Sequence, residues 1–284
     1  MRSAPRGQQR IGAQPGAAPR GTQGRRRQGR GGAQECTPMT STTVAALAAA
    51  HRADPGRPLV TFYDSGSGER VELSVATFDN WVNKLGNLFG VELGLEPGDD
   101  IVVDLPTSWQ ACVTILGAWS VGLVVSLQDD LSPALRLVGP AAVADTAPGE
   151  HVLACSLRPL GAGFDRPLPR GWLDFSVEVP GQADVLLAPV AVSATDEAVR
   201  TADASWSHGD LVERALARAQ LIGLSPGGRL LTDINPAVEI GLSTCLAAPL
   251  VTGSSVVLLA NVADTDRDRI AEQERVTCVW LPAG

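Results

Sequence analysis

The sequence predicts an α/β fold: a largely parallel β-sheet covered by helices. From Val185 onward, apolar runs of strand length alternate with helical periodicity, which is the signature of successive βα units. Earlier in the chain, I-V-V-D-L (101–105) and L-V-V-S-L (123–127) enclose one helical stretch and form a similar unit. The 284 residues, 44% hydrophobic and 19% charged, suffice to bury a sizeable core.

Each element has its own local reason. V-A-A-L-A-A-A-H (44–51) reads as a helix that Ser41 to Thr43 can cap. L-V-T-F-Y-D-S-G-S-G-E-R-V-E-L-S is a hairpin turning at Ser65 to Gly68. Ser74 caps an amphipathic helix with Phe78, Trp81, Val82, Leu85, Leu88 and Phe89 at helical spacing. L-G-L-E-P-G-D-D turns into the strand 101–105, Pro106 opens a helix running to Ser120, and the strand ending at Leu127 follows. Residues 129–182 are rich in proline and glycine and offer weak strand candidates, A-A-V-A-D (141–145) and H-V-L-A-C (151–155). V-L-L-A-P-V-A-V (185–192) reads as a strand, Ser193 to Ser207 as a polar loop, and Asp210 to Ile222 as a helix with Leu211, Ala215, Ala219 and Ile222 on one face. G-R-L-L-T-D-I, S-S-V-V-L-L and V-T-C-V-W-L complete the strands, with helices at 237–250 and 264–274 between them.

Charge divides the chain into two parts. Residues 1–38 hold eight arginines against Glu35, about +7, which leaves about −15 of the overall −8 for the remainder. This segment is rich in Gly, Arg and Gln and too poor in apolar residues to fold, so a disordered tail is expected over 1–38 and a folded unit over 39–284. The tail reads either as an Arg-Gly arm touching RNA or acidic partners, or as sequence upstream of a misplaced start, with Met39 the true first residue. The acidic body excludes a nucleic-acid-binding domain, since phosphate contacts need clustered Lys and Arg. Cys36, Cys112, Cys155, Cys245 and Cys278 lack metal-ligand spacing and read as small buried apolar residues; their odd number without a secretory signal predicts a cytoplasmic location. Leu105 to Gln128 is uncharged and long enough to cross a bilayer, but its polar first third and two central glycines favour a helix followed by a buried strand, hence no membrane span.

Several motifs carry the same order of elements. They are P-L-V-T-F-Y-D…G-E-R-V-E-L-S, L-G-L-E-P-G-D-D-I-V-V-D-L-P-T-S-W, L-G-A-W-S-V-G-L-V-V, W-S-H-G-D-L, L-A-A-P-L-V-T-G-S-S-V-V-L-L and I-A-E-Q-E-R-V-T-C-V-W-L-P-A. Together they resemble the N-terminal region of the adenylate-forming enzymes, the acyl-CoA synthetase and luciferase superfamily, over residues 42–283. The resemblance looks closest to short actinobacterial members that match only the first half of such enzymes.

In that family a Ser-Gly-Thr-Thr-Gly, Pro-Lys-Gly loop binds the ATP phosphates ahead of a Ser-His pair. Ser193 and Thr195 fall on its serine and first threonine. Ala194, Asp196 and Glu197 replace the remaining residues, no lysine follows, and the spacing to Ser207-His208 is two residues longer. A carboxylate about 4 Å from a phosphate costs about 4 kcal/mol at an effective dielectric near 20. The resemblance therefore implies a vestigial phosphate loop at Ser193 and Thr195, with no catalytic residue, no metal and no cofactor. The family's downstream motifs also lie beyond Gly284, which implies a truncated N-terminal domain.

Three functions follow from this. The first is an inactive adenylate-forming-like protein holding a small acyl or aryl ligand, or acting as a scaffold, with Trp206 as a pocket wall. The second is one half of a two-chain acyl-adenylating ligase that uses ATP and magnesium. The third is an interaction module that forms homo- or hetero-oligomers through an open sheet edge. Ser207 reads as a helix cap partnered by Asp210 rather than as a nucleophile, and Ser243 in G-L-S-T-C lacks the second glycine of a nucleophile elbow.

Overall fold

The computed structural model describes residues 41–128, 132–141 and 151–281. Twelve strands are described: β1 (Pro58–Asp64), β2 (Glu69–Ser74), β3 (Asp100–Asp104), β4 (Val124–Ser126), β5 (Leu135–Val138), β6 (Val152–Ala154), β7 (Leu173–Asp174), β8 (Glu197–Arg200), β9 (Ser205–Ser207), β10 (Arg229–Thr232), β11 (Ser255–Ala260) and β12 (Cys278–Val279). They form two sheets, ordered β12-β10-β11-β1-β2 and β7-β6-β5-β3-β4-β8-β9. All their ladders are parallel except the β1–β2 and β8–β9 hairpins. The α/β class with helix-covered parallel sheets is thus what the chain adopts, divided over two sheets.

The helices begin where their caps dictate. Thr42 accepts the Ala45 N–H and starts α1 (Thr43–Ala53), and Ser74 accepts the Thr77 N–H and starts α2 (Val75–Asn87), which runs on as a π turn over Leu88–Glu92. α3 (Trp109–Ser120) starts later than Pro106 suggests. Ser108 is its cap, accepting the Ala111 N–H, because a hydroxyl satisfies an orphan donor and proline cannot. α4 (Phe175–Glu178) is a single turn, α5 (His208–Ile222) follows β9, and α6 runs through Glu239–Gly241, a π segment Leu242–Ala247 and Ala248–Val251. α7 spans Asp264–Gln273. Helices α2 and α3 pack on each other and touch strands of both sheets, so the core, with Trp119, Phe78 and Phe89 fully buried, lies around this pair.

Two expectations are corrected. Residues 185–192 form no strand. The Asn87 amide of α2 donates to the Ala183 and Val185 carbonyls at 3.1 and 2.8 Å and accepts the Leu187 N–H at 2.8 Å, while Lys84 Nζ donates to the Pro180 carbonyl at 2.9 Å. With the Val185 carbonyl and the Leu187 N–H claimed by Asn87 and Pro189 in the run, the segment leaves Val185 and Leu187 exposed. Second, the stretch between Ser193 and His208 is not one loop but contains the β8–β9 hairpin. Of the weak candidates, 151–155 contains β6, while 142–145 of the other lies outside the described residues, and β5 and β7 carried too little pattern to be read. No helix among the described residues is long and apolar enough to cross a membrane.

Candidate functional site

The junction that leads into α5 decides what the strand–helix connection can hold. Ser193 and Thr195 precede β8, in a turn closed on itself. The Ser193 N–H donates to Asp196 Oδ2 at 2.8 Å, the Thr195 N–H to Ser193 Oγ at 3.1 Å, and the two hydroxyls are 2.8 Å apart. The loop that follows a parallel strand at its carboxyl end is Thr201–Ala204, tied by the Thr201 N–H to the Ala204 carbonyl at 2.8 Å and by the Ala204 N–H to Thr201 Oγ1 at 3.0 Å. It carries Asp203 and no basic residue.

A helix N-terminus attracts anions because its first N–H groups lack partners. In α5 the chain itself uses them. The His208 N–H donates to the Asp196 carbonyl at 3.0 Å and the Gly209 N–H to the Ala194 carbonyl at 2.8 Å. Ser207 and Asp210 form the expected capping box: Ser207 Oγ accepts the Asp210 N–H at 3.1 Å, and Asp210 Oδ2 accepts the Ser207 N–H at 2.9 Å. Gly209 permits this closure, since a Cβ there would stand 3.1 Å from the Ala194 carbonyl oxygen. Hydrogen bonds from the Ser207 hydroxyl and N–H hold the Asp210 carboxyl below its usual value. Ser207 is thus a cap, and His208 points into the core with its ring 6.0 Å from that of Trp119 and both nitrogens without a partner. Burial lowers its pKa to about 4, against a smaller upward pull from Asp196.

Two cavities flank this junction. One, of about 530 Å³, lies beyond the carboxyl ends of β3, β4 and β8, where open α/β sheets commonly take ligands. Asp104, Asp203 and Glu239 border it, with no Lys or Arg. The other, of about 560 Å³, is a groove between α5 and α6. Arg214, Ala217, Arg218 and Leu221 recur at helical spacing on the outer face of α5, opposite the buried Leu211, Ala215 and Ala219. Arg214 lies over the Trp206 ring at 4.0 Å, and Arg218 over Trp280 at 5.5 Å. Neither guanidinium has a carboxylate within ion-pair distance among the described residues. Val238 and Ile240 of the opposing segment and the strongly exposed Leu221 supply apolar wall, and Glu239 and Ser243 complete the lining, so the groove holds two guanidinium groups against one carboxylate. Sequence reasoning picked out Trp206 and passed over the arginines, whose i, i+4 spacing on the polar face of α5 was the available signal. Ser243 lies inside α6, donates to the Ile240 carbonyl at 3.1 Å and lacks the strand–helix turn of a nucleophile elbow.

The fold is similar to that of solved acyl-CoA synthetases, over about half of their length. A Brucella canis acyl-CoA synthetase matches with a TM-score of 0.69 at 18% identity, over 84% of this chain and 47% of that one. A Mycobacterium tuberculosis fatty acyl CoA synthetase matches with 0.63 at 14% identity, covering 83% and 48%. An anthranilate CoA ligase in complex with anthranoyl-AMP gives 0.64 at 15%, covering 84% and 48%. The chain therefore spans about half the length of these solved structures. The AMP-binding enzyme model matches residues 47–146. The chain belongs to the TIGR03089 family: it is 33% identical to the TIGR03089 family protein of Mycobacterium tuberculosis over 257 residues, 86% of this chain and 99% of that protein.

Proposed function

We propose that this chain uses the adenylate-forming fold to hold a small acyl or aryl carboxylate and does not itself bind ATP for catalysis. The observation that carries the reading is the self-capped start of α5, where each of the first three helical N–H groups is already bonded within the chain. A triphosphate placed there would have to displace the Ala194 and Asp196 carbonyls and would approach Asp196 and Asp210, so the residues present do not fit it. Ser193 and Thr195, the remnants of the phosphate loop, use their hydroxyls inside their own turn.

The groove over α5 supplies what an organic acid needs instead. Arg214 and Arg218 can receive the carboxylate, with Trp206, Leu221 and Ile240 against its apolar body. Two of the similar solved structures are a fatty acyl CoA synthetase and an anthranilate CoA ligase, names that refer to an acyl and an aryl substrate and are in keeping with this class.

Calorimetric titration tests the reading on the full chain. Magnesium-ATP should give no heat up to millimolar concentration, while octanoate or benzoate should bind. Replacing Arg214 and Arg218 together by alanine should weaken the acid at least about tenfold, since a charge-assisted hydrogen bond contributes about 1.5–3 kcal/mol. Micromolar binding of ATP, or acid binding indifferent to both arginines, would overturn it.

A further inference from the structure

The two arginines of the α5 groove are held by different parts of the molecule. Arg214 lies over the ring of Trp206 in β9, the edge strand of the seven-stranded sheet, at 4.0 Å. Arg218, one turn further along α5, lies over the ring of Trp280 at 5.5 Å, and Trp280 follows β12 at the edge of the five-stranded sheet. Along the helix axis the two residues are about 6 Å apart, and their heads are drawn to separate indoles. A guanidinium stacked on an indole uses its flat face and keeps its N–H groups free in the plane. Each head is thus oriented as a carboxylate receptor in its own right.

Like charges at i, i+4 on a helix repel. Among the described residues neither guanidinium makes a hydrogen bond or an ion pair that would relieve this. The nearby acids are occupied otherwise. Asp210, one turn before Arg214, is engaged by the Ser207 hydroxyl at 2.7 Å and the Ser207 N–H at 2.9 Å. Glu239 opens α6, where the first N–H groups of a helix favour a negative charge. Hydrocarbon lines the space beside the two heads: Ala217 and Leu221 on the same face of α5, Val238 and Ile240 across from it.

On the acid-binding reading of this groove, we propose that its ligand is an α,ω-dicarboxylate, with one carboxylate on Arg214, the other on Arg218 and a methylene chain along the apolar wall. A monocarboxylate fills one receptor and leaves the other charge unmatched. A dicarboxylate fills both and removes the repulsion between them. General attraction does not produce this preference, because residues 39–284 carry about −15 and repel a dianion more than a monoanion. Burial of hydrocarbon does not produce it either, because the diacid has a carboxylate where the monoacid of equal length has a methyl group.

Calorimetric titration of the full chain with heptanoate and heptanedioate, one chain length with one and with two carboxylates, tests the assignment. Heptanedioate should bind about tenfold more tightly. Arg214→Gln and Arg218→Gln each remove one receptor. Either should lower heptanedioate about tenfold, to the level of heptanoate. Heptanoate itself should fall far less, since it turns to the arginine that remains. On the native chain, saturating heptanedioate should shift the indole N–H signals of both Trp206 and Trp280. Affinity across the diacids from butanedioate to decanedioate should pass through a maximum, whereas monoacids gain steadily with length. Heptanoate binding that is lost when both arginines are replaced, with heptanedioate no tighter, would overturn the dicarboxylate and leave the acid site standing. No binding of either acid would remove both. If the single variants fail to fold, the native chain decides: no maximum in the diacid series, or a shift confined to one indole, overturns the assignment.

Discussion

His208 shows how a residue that reads as chemistry can be structure. It sits beside a serine at the start of a helix, yet its ring is fully buried against Trp119, and burial lowers its pKa from 6.5 to about 4. The folded-state value lies below the unfolded one, so protonation favours the unfolded chain. The stability this group contributes is complete above pH 6.5 and is lost as the pH falls towards 4. Between pH 7 and pH 5 the loss should be about 2 kcal/mol, read as a lower urea midpoint at the acid value. His208→Phe should flatten that interval while leaving the steeper carboxylate-driven loss below pH 4. An unchanged slope would mean that other groups carry the pH dependence of that interval. The cap was legible from Ser207 and Asp210 alone, because a capping box is a local device. The burial of His208 was not, because Trp119 lies 89 residues away in the sequence.

At the scale of the element, the crossing of α2 and α3 depends on Gly117. A Cβ built there would stand 2.6 Å from the Leu85 Cβ, well inside contact distance, with the backbone carbonyl of Val82 behind it at 3.4 Å. Gly117→Ala should therefore push the helices apart and destabilise the protein by about 1–3 kcal/mol, despite the better helix propensity of alanine. In a double-mutant cycle with Leu85→Gly the costs should be less than additive, because the second change removes the Cβ that the new methyl would strike. Strict additivity would place the strain elsewhere. Helix α2 also explains the strand expected over 185–192. The apolar run was visible in the sequence, but Asn87, about a hundred residues earlier, claims the Val185 carbonyl and the Leu187 N–H, while Lys84 holds the segment just before it. Periodicity reports which face of an element is apolar, not which distant side chain will satisfy its backbone.

For the whole molecule, the four described cysteines give a measure of how uniformly the fold holds. Cys112, Cys155, Cys245 and Cys278 are all buried, and burial raises each thiol above its usual value, Cys112 to about 12. None should react with a thiol reagent at pH 8 except through opening of the structure. Cys278 lies on β12, the edge of its sheet, joined to β10 through two residue pairs. It should be labelled first, by local fraying, while Cys112, Cys155 and Cys245 are labelled together at the rate of global unfolding. Equal rates for all four would show that β12 opens only with the core.

The sequence by itself determined the α/β class, a helix cap within Ser41 to Thr43, the caps at Ser74 and Ser207, the β1–β2 hairpin, the burial of Cys112, Cys155, Cys245 and Cys278, and the resemblance to the first half of an acyl-CoA synthetase. These rest on short-range patterns and on composition. Only the tertiary structure decided that the strands divide into two sheets, that Ser193 and Thr195 stand ahead of β8, and that the Ala194 and Asp196 carbonyls close the start of α5. It alone set Arg214 over Trp206 and Arg218 over Trp280. Each of these depends on contacts between residues far apart in the chain or on which neighbour satisfies a polar group, and neither leaves a period that a local reading can detect.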